Sequence, residues 1–137
     1  MMEKDKTGES EELSYLIDLD WFEQTGRSFV IIARHCLCPR CKERLASEPE
    51  AMTPASLVLN VRDCCSNVPG FIDPRLPLLE KVFRLSLSEG NRPVSLTEVT
   101  ARLSLYSDNP ASLSPTSLKH LLDHNQYYGF RLALGED

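Results

Sequence analysis

The chain has 137 residues, 42% of them apolar, 26% charged and 7% aromatic, with a formal net charge of −5. That is about one domain's worth of chain, with enough apolar content for a core and too little bias for wholesale disorder. The longest apolar run, Phe29 to Ala33, is five residues, far short of the roughly twenty that span a bilayer.

Charge is spread unevenly. Residues 1–33 carry eight acids and three bases, whereas residues 75–131 carry seven bases and five acids. The first twelve residues, MMEKDKTGESEE, lack the basic and apolar regions of a secretory signal. They are expected to form a disordered acidic tail on a soluble, cytoplasmic protein with no membrane partner. No strong basic field covers the molecule, so contact with nucleic acid would have to be local. The best local patch is Arg34, Arg40, Lys42 and Arg44.

Order is expected from Leu13. Tyr15, Leu16, Ile17 and Leu19 form a short apolar segment. Asp20, with Glu23 three residues on, has the spacing of a capping box and would start a helix at Trp21 and Phe22. Gly26 would end it in the left-handed conformation. Ser28 would cap a second helix from Phe29 to about His35, although so short an apolar run also suits a buried strand. Cys36 to Cys41 reads as a tight turn around Pro39, and residues 42–52 as a short polar helix start followed by a loop. Thr53-Pro54 pairs a capping hydroxyl with proline at the first helical position. Leu57, Val58, Val61, Cys64 and Cys65 then fall on one helical face, predicting a helix of roughly a dozen residues.

Pro69, Gly70, Pro74 and Pro77 mark a connector. Beyond it, Leu78, Leu79, Val82, Phe83, Leu85 and Leu87 predict a helix ending at Gly90. Ser95 and Glu98 form a capping box ahead of Leu96, Val99 and Leu103. After a loop at Asp108-Asn109-Pro110, Ser114-Pro115 starts a third helix bearing Leu118, Leu121 and Leu122. Asn125 to Leu132 reads as a turn into a short strand. Three helices followed by an aromatic strand resemble a helix-turn-helix or winged-helix domain over about 60 residues of this chain. The expected organisation is therefore a tail at 1–12, a metal-binding helical unit at 13–70 and a winged-helix-like domain at 71–134. The fold class is mainly α.

Cysteines stand at 36, 38, 41, 64 and 65. An odd number without a secretory signal argues against a disulfide framework. Cys38-Pro39-Arg40-Cys41 resembles a zinc knuckle: two intervening residues let both sulfurs turn to one point. Cys64 and Cys65 offer the second pair, and four thiolates satisfy tetrahedral zinc. Neighbouring helical residues diverge by about 100°, so both can reach one ion only if the helix frays or ends there. Cys36 or His35 is the alternative fourth ligand. The same thiolates could instead hold an iron–sulfur cluster.

Phe29 to Ile32, Cys-Pro-Arg-Cys and Lys-Glu-Arg-Leu together also resemble the strand–CPxC–helix opening of glutaredoxin-like and thioredoxin-like proteins. That resemblance implies Cys38 as a thiolate nucleophile, with Cys41 as its partner. Only 27 residues lie between Cys41 and Pro69, too few for the helix, strand and helix such folds place there. No other catalytic constellation is evident, and none for a small-molecule substrate. His120 and His124, four residues apart, lack a third ligand and read as a surface pair. Of Trp21-Phe22 and Tyr127-Tyr128, one ring each is expected in the core and one at its edge. The expected activity is non-enzymatic binding of a protein or a nucleic acid through Arg34, Arg40, Lys42, Arg44 and Lys119. The acidic chain slightly favours a protein.

Overall fold

A computed structural model describes residues 13–106 and 114–133. The expected tail at 1–12 and the loop at 108–110 lie outside the described residues. The fold is mainly helical, with a small antiparallel sheet.

Strand β1 (Ser14–Ile17) is the first described element, with Tyr15 and Ile17 buried on one face. Helix α1 spans Leu19–Gln24. Its cap is Asp18, which accepts from the Asp20 N–H at 3.0 Å, not Asp20 as the capping-box spacing suggested. Asp18 is still extended as it leaves β1, so the helix starts as soon as the strand ends. Gly26 has φ +73°. Helix α2 (Phe29–Arg34) is capped by Ser28, whose hydroxyl accepts from the Ile31 N–H at 3.2 Å. The segment is thus helix, not strand.

Helix α3 spans Pro39–Ala46. The turn expected over 36–41 therefore ends three residues early, because proline at the first helical position has its φ preset and no amide to satisfy. A 3₁₀ turn at Pro49–Ala51 leads to helix α4 (Pro54–Asp63), capped by Thr53 as expected and ten residues long. A second 3₁₀ turn covers Cys65–Asn67.

Helix α5 (Leu78–Ser88) is followed by strand β2 (Val94–Ser95) and helix α6 (Leu96–Leu103), where the Ser95 hydroxyl accepts from the Glu98 N–H at 3.1 Å. Helix α7 (Pro115–Asp123) starts at the Ser114 cap, and strand β3 spans Phe130–Leu132. Leu118 and Leu122 of α7 are buried, while Leu121 is partly exposed.

The sheet order is β2-β1-β3, with Tyr15 opposite Val94 on one side and Leu132 on the other. The first described strand is thus the central one, between two strands from beyond residue 90. Asn91, at φ +61°, clamps it: its side chain accepts from the Ile17 N–H at 2.8 Å and donates to the Ile17 carbonyl at 2.9 Å. An aromatic file joins both ends of the chain, with ring centroids 5.4 Å apart for Phe22–Phe29, 6.1 Å for Phe29–Phe83 and 4.9 Å for Phe83–Tyr128. Gly129, at φ +71°, lies so close that a Cβ there would stand 2.9 Å from the Phe22 ring. Among the described residues, no helix is long and apolar enough to cross a membrane.

Candidate metal centre

Cys38 is the residue immediately before helix α3, with Pro39 at the first helical position. The helix then winds Cys41 back towards it. The other pair comes from the end of α4. The helix stops at Asp63, and Cys64 departs from helical geometry at φ −130°, ψ −62°. Side chains hold this exit: Ser66 Oγ donates to the Arg62 carbonyl at 2.9 Å, and Asn67 Nδ2 donates to the Asp63 carbonyl at 3.2 Å. The break relieves the divergence that adjacent cysteines would have on a continuous helix.

As a result, the sulfurs of Cys38, Cys41, Cys64 and Cys65 all lie within 4.8 Å of one another, close enough to bind a metal ion. Four thiolates about 2.3 Å from one tetrahedral ion would be about 3.8 Å apart. Cys41 and Cys65 are buried, and Cys38 and Cys64 half-buried. Polar groups already address the sulfurs. The Cys38 N–H donates to Cys65 Sγ at 3.2 Å, and Arg44 Nη2 stands 3.7 Å from Cys41 Sγ while also binding Asn60 Oδ1. Such donors offset the negative charge of a thiolate cluster and orient its members.

The thiols differ in acidity. Burial pushes Cys38 up, but the Cys41 amide and the thiols of Cys65, Cys41 and Cys64 outweigh it and bring Cys38 down to about 7. Cys41 is pushed up to about 12 by burial and by hydrogen bonding to Cys64, Cys38 and Cys65. Cys65 is also raised, chiefly by burial.

The alternative ligands stand elsewhere. Cys36 and His35 are not among the convergent donors. They line a separate cavity of about 320 Å³ with Ile32, Glu80, Phe83, Arg84, Tyr127 and Tyr128. Burial, partly countered by Arg84, pushes the Cys36 thiol up to about 12. His120 and His124 are exposed, their rings 4.3 Å apart. The segment before the CPxC motif is helix α2, so the strand of the thioredoxin-like opening has no counterpart.

Family models, curated proteins and solved structures yield no match to this chain.

The basic residues separate into two kinds. Arg34, Arg40 and Lys42 are exposed, and none has an ion-pair partner among the described residues. Arg40 lies in a cavity of about 460 Å³ with Cys41, Leu59, Asp63 and Cys64. Lys119, by contrast, is held by Asp123 at 2.7 Å. Sequence reasoning missed Arg27, whose guanidinium lies 5.7 Å from the Trp21 ring and 5.4 Å from the Tyr127 ring. Nothing local could have shown it, since a hundred residues separate Arg27 from Tyr127.

Proposed function

We propose that the chain is a non-enzymatic binding protein whose N-terminal helices are fastened by a structural zinc ion. The observation that carries this reading is the mutual approach of four cysteine sulfurs to within 4.8 Å. A closed site of four thiolates fills the tetrahedral positions of zinc and leaves none for a substrate, the arrangement of a structural centre rather than a catalytic one. A single ion suits this spacing better than an iron–sulfur cluster, whose iron and sulfide atoms would stand between the ligands and spread them. The metal would tie the start of α3 to the end of α4.

The same proposal treats α5, α6, α7 and β3 as a winged-helix-like unit whose middle strand is supplied by β1. Supporting it are the position of β2 between α5 and α6, and of β3 after α7. Backbone NMR contacts from Tyr15 to both Val94 and Leu132 are expected; a sheet without β1 at its centre would remove the argument.

Elemental analysis of the purified protein tests the metal. About one zinc per chain is expected, lost in Cys38→Ser and Cys65→Ser but kept in Cys36→Ser. Iron with sulfide and a brown colour would replace zinc by a cluster. Full zinc content in Cys38→Ser would refute the ligand assignment.

A further inference from the structure

Between Arg27 and Arg44 the chain has five cations, Arg27, Arg34, Arg40, Lys42 and Arg44, against one acid, Glu43. None of the five is in an ion pair among the described residues. Beyond residue 74 the reverse holds: Arg75, Arg84, Arg92, Arg102, Lys119 and Arg131 each meet a carboxylate. Arg44 is turned to the sulfurs and Arg40 lines the pocket beside them, which leaves Arg27, Arg34 and Lys42 exposed and without a carboxylate partner among the described residues.

This stretch borders an aromatic cavity. Arg34 is on α2 with the exposed Ile31 one turn earlier, and His35 at the end of the same helix opens into the 320 Å³ cavity with Tyr127. Tyr127 is 48% exposed, and the Arg27 guanidinium extends the shelf between it and Trp21. Lys42 is exposed on α3, the next helix along the chain. The cavity's own acid, Glu80, is ion-paired with Arg84 at 3.0 Å, which offsets its charge.

Resting on the binding role proposed above, we propose that this face binds single-stranded nucleic acid, with Arg27, Arg34 and Lys42 meeting phosphates and Tyr127 stacking a base beside His35. Guanidinium and aromatic planes accept any base by its π-face, and lysine and arginine follow the backbone. An acidic peptide would answer the charge but not the aromatic shelf. A duplex keeps its bases stacked and could not reach the cavity. Helix α7, the element a winged helix would present to a major groove, has no unpaired lysine or arginine among the described residues.

The test is fluorescence anisotropy of labelled oligouridylate and oligothymidylate of about twelve nucleotides, using zinc-loaded full-length protein whose metal content is checked. Three phosphate contacts on a single strand predict a log–log salt slope of about −2, so affinity falls roughly twentyfold between about 50 and 200 mM salt. Arg34→Gln combined with Lys42→Gln should cost about tenfold and flatten the slope by about 1.4. Tyr127→Ala should weaken binding about five- to a hundredfold without changing the slope, and Tyr127→Phe should restore it. Absence of binding at low salt, or wild-type affinity in Tyr127→Ala, overturns the inference. So does polyglutamate competing as well as the oligonucleotide, which would assign the face to an acidic peptide, or equal affinity for a duplex of the same length. With zinc content intact, each of these failures leaves the metal-fastened binding protein standing; loss of zinc from the native protein would strike that reading instead.

Discussion

Helix α3 and helices α5–α7 are held by different means. Helix α3 buries only Cys41 and Leu45, one of them a thiol of the four-sulfur cluster. Helix α5 buries Val82, Phe83, Leu85 and Leu87, and the one cation it buries, Lys81, donates to the Tyr106 carbonyl at 3.0 Å. At about 1.5–3 kcal/mol for each fully buried large apolar side chain, α5 is secured by packing, whereas α3 depends on its sulfurs. The charges differ in the same way: Arg84, Arg102 and Lys119 on α5–α7 are ion-paired, whereas Arg27, Arg34, Arg40 and Lys42 have no such partner among the described residues. The sheet and the aromatic file draw on both parts of the chain, β1, Phe22 and Phe29 from one and β2, β3, Phe83 and Tyr128 from the other, whereas the exposed unpaired cations all precede α4.

Removing the metal should break the two regions apart, and this is the largest expected effect. Structural zinc supplies roughly 10–16 kcal/mol of apparent binding energy in small zinc-folded peptides. Chelation, or Cys41→Ser, should therefore raise amide exchange across α3 and the end of α4 while α5–α7 keep their protection. Uniform loss of protection across all helices would show that the packed part also depends on the metal, and the comparison would fail.

The pH dependence of zinc binding should sharpen it. Thiolates are the proposed ligands, so each thiol still protonated must release a proton to the solvent when zinc binds. Cys41 and Cys65, raised by burial, are protonated at neutral pH, whereas Cys38 ionises near 7. Affinity should thus climb with pH by roughly two decades or more per unit around pH 8. As pH falls through about 7, Cys38 adds its proton and the slope steepens. A zinc titration across pH that finds a slope near zero would mean the cluster is already deprotonated and the thiols are not buried as described.

Much of the helical framework was legible in the sequence because its signals are local. Ser28, Thr53, Ser95 and Ser114 cap the helices they were expected to cap. The cysteine pairs were legible because ligand chemistry demands convergence, and the required break in α4 is present at Cys64. Strands β1 and β2 were not legible. Four and two residues long, they show no usable alternation, and their pairing joins residues about eighty positions apart. The Cys36–Tyr127 cavity was hidden for the same reason. The Asp20–Glu23 spacing pointed to a cap two residues late, because a capping box is a spacing rule, while the true boundary is set by where β1 ends.

Asn91 tests that long-range junction. Its amide satisfies both backbone groups of Ile17, and its backbone has φ +61°, which asparagine tolerates better than most residues. Asn91→Ala leaves the Ile17 N–H and carbonyl unpaired and adds strain, with an expected loss of about 1–3 kcal/mol in chemical denaturation. Asn91→Gly relieves the strain but not the lost bonds, so it should fall between alanine and wild type. Equal stability of all three would show that β1 is held by its strand neighbours alone.

The smallest effect should come from the ion pairs that set the second region apart. Glu89 pairs with Arg92 at 2.7 Å and with Arg102, and Glu98 stands 3.5 Å from each arginine. Burial pushes the Glu89 carboxyl up, but the two arginines outweigh it and hold it below the usual range. A carboxylate with a lowered folded-state pKa stabilises the fold above its unfolded value, near 4.3, and that contribution disappears as pH falls through the folded value. Partial exposure limits it to about 0.2–1 kcal/mol, the range of exposed pairs. Glu89→Gln should therefore lower stability slightly at pH 7 and converge with wild type in acid. A difference that persists undiminished at low pH would mean the side chain acts through packing rather than charge, and the paired charges beyond residue 74 would then be incidental to how that region is held.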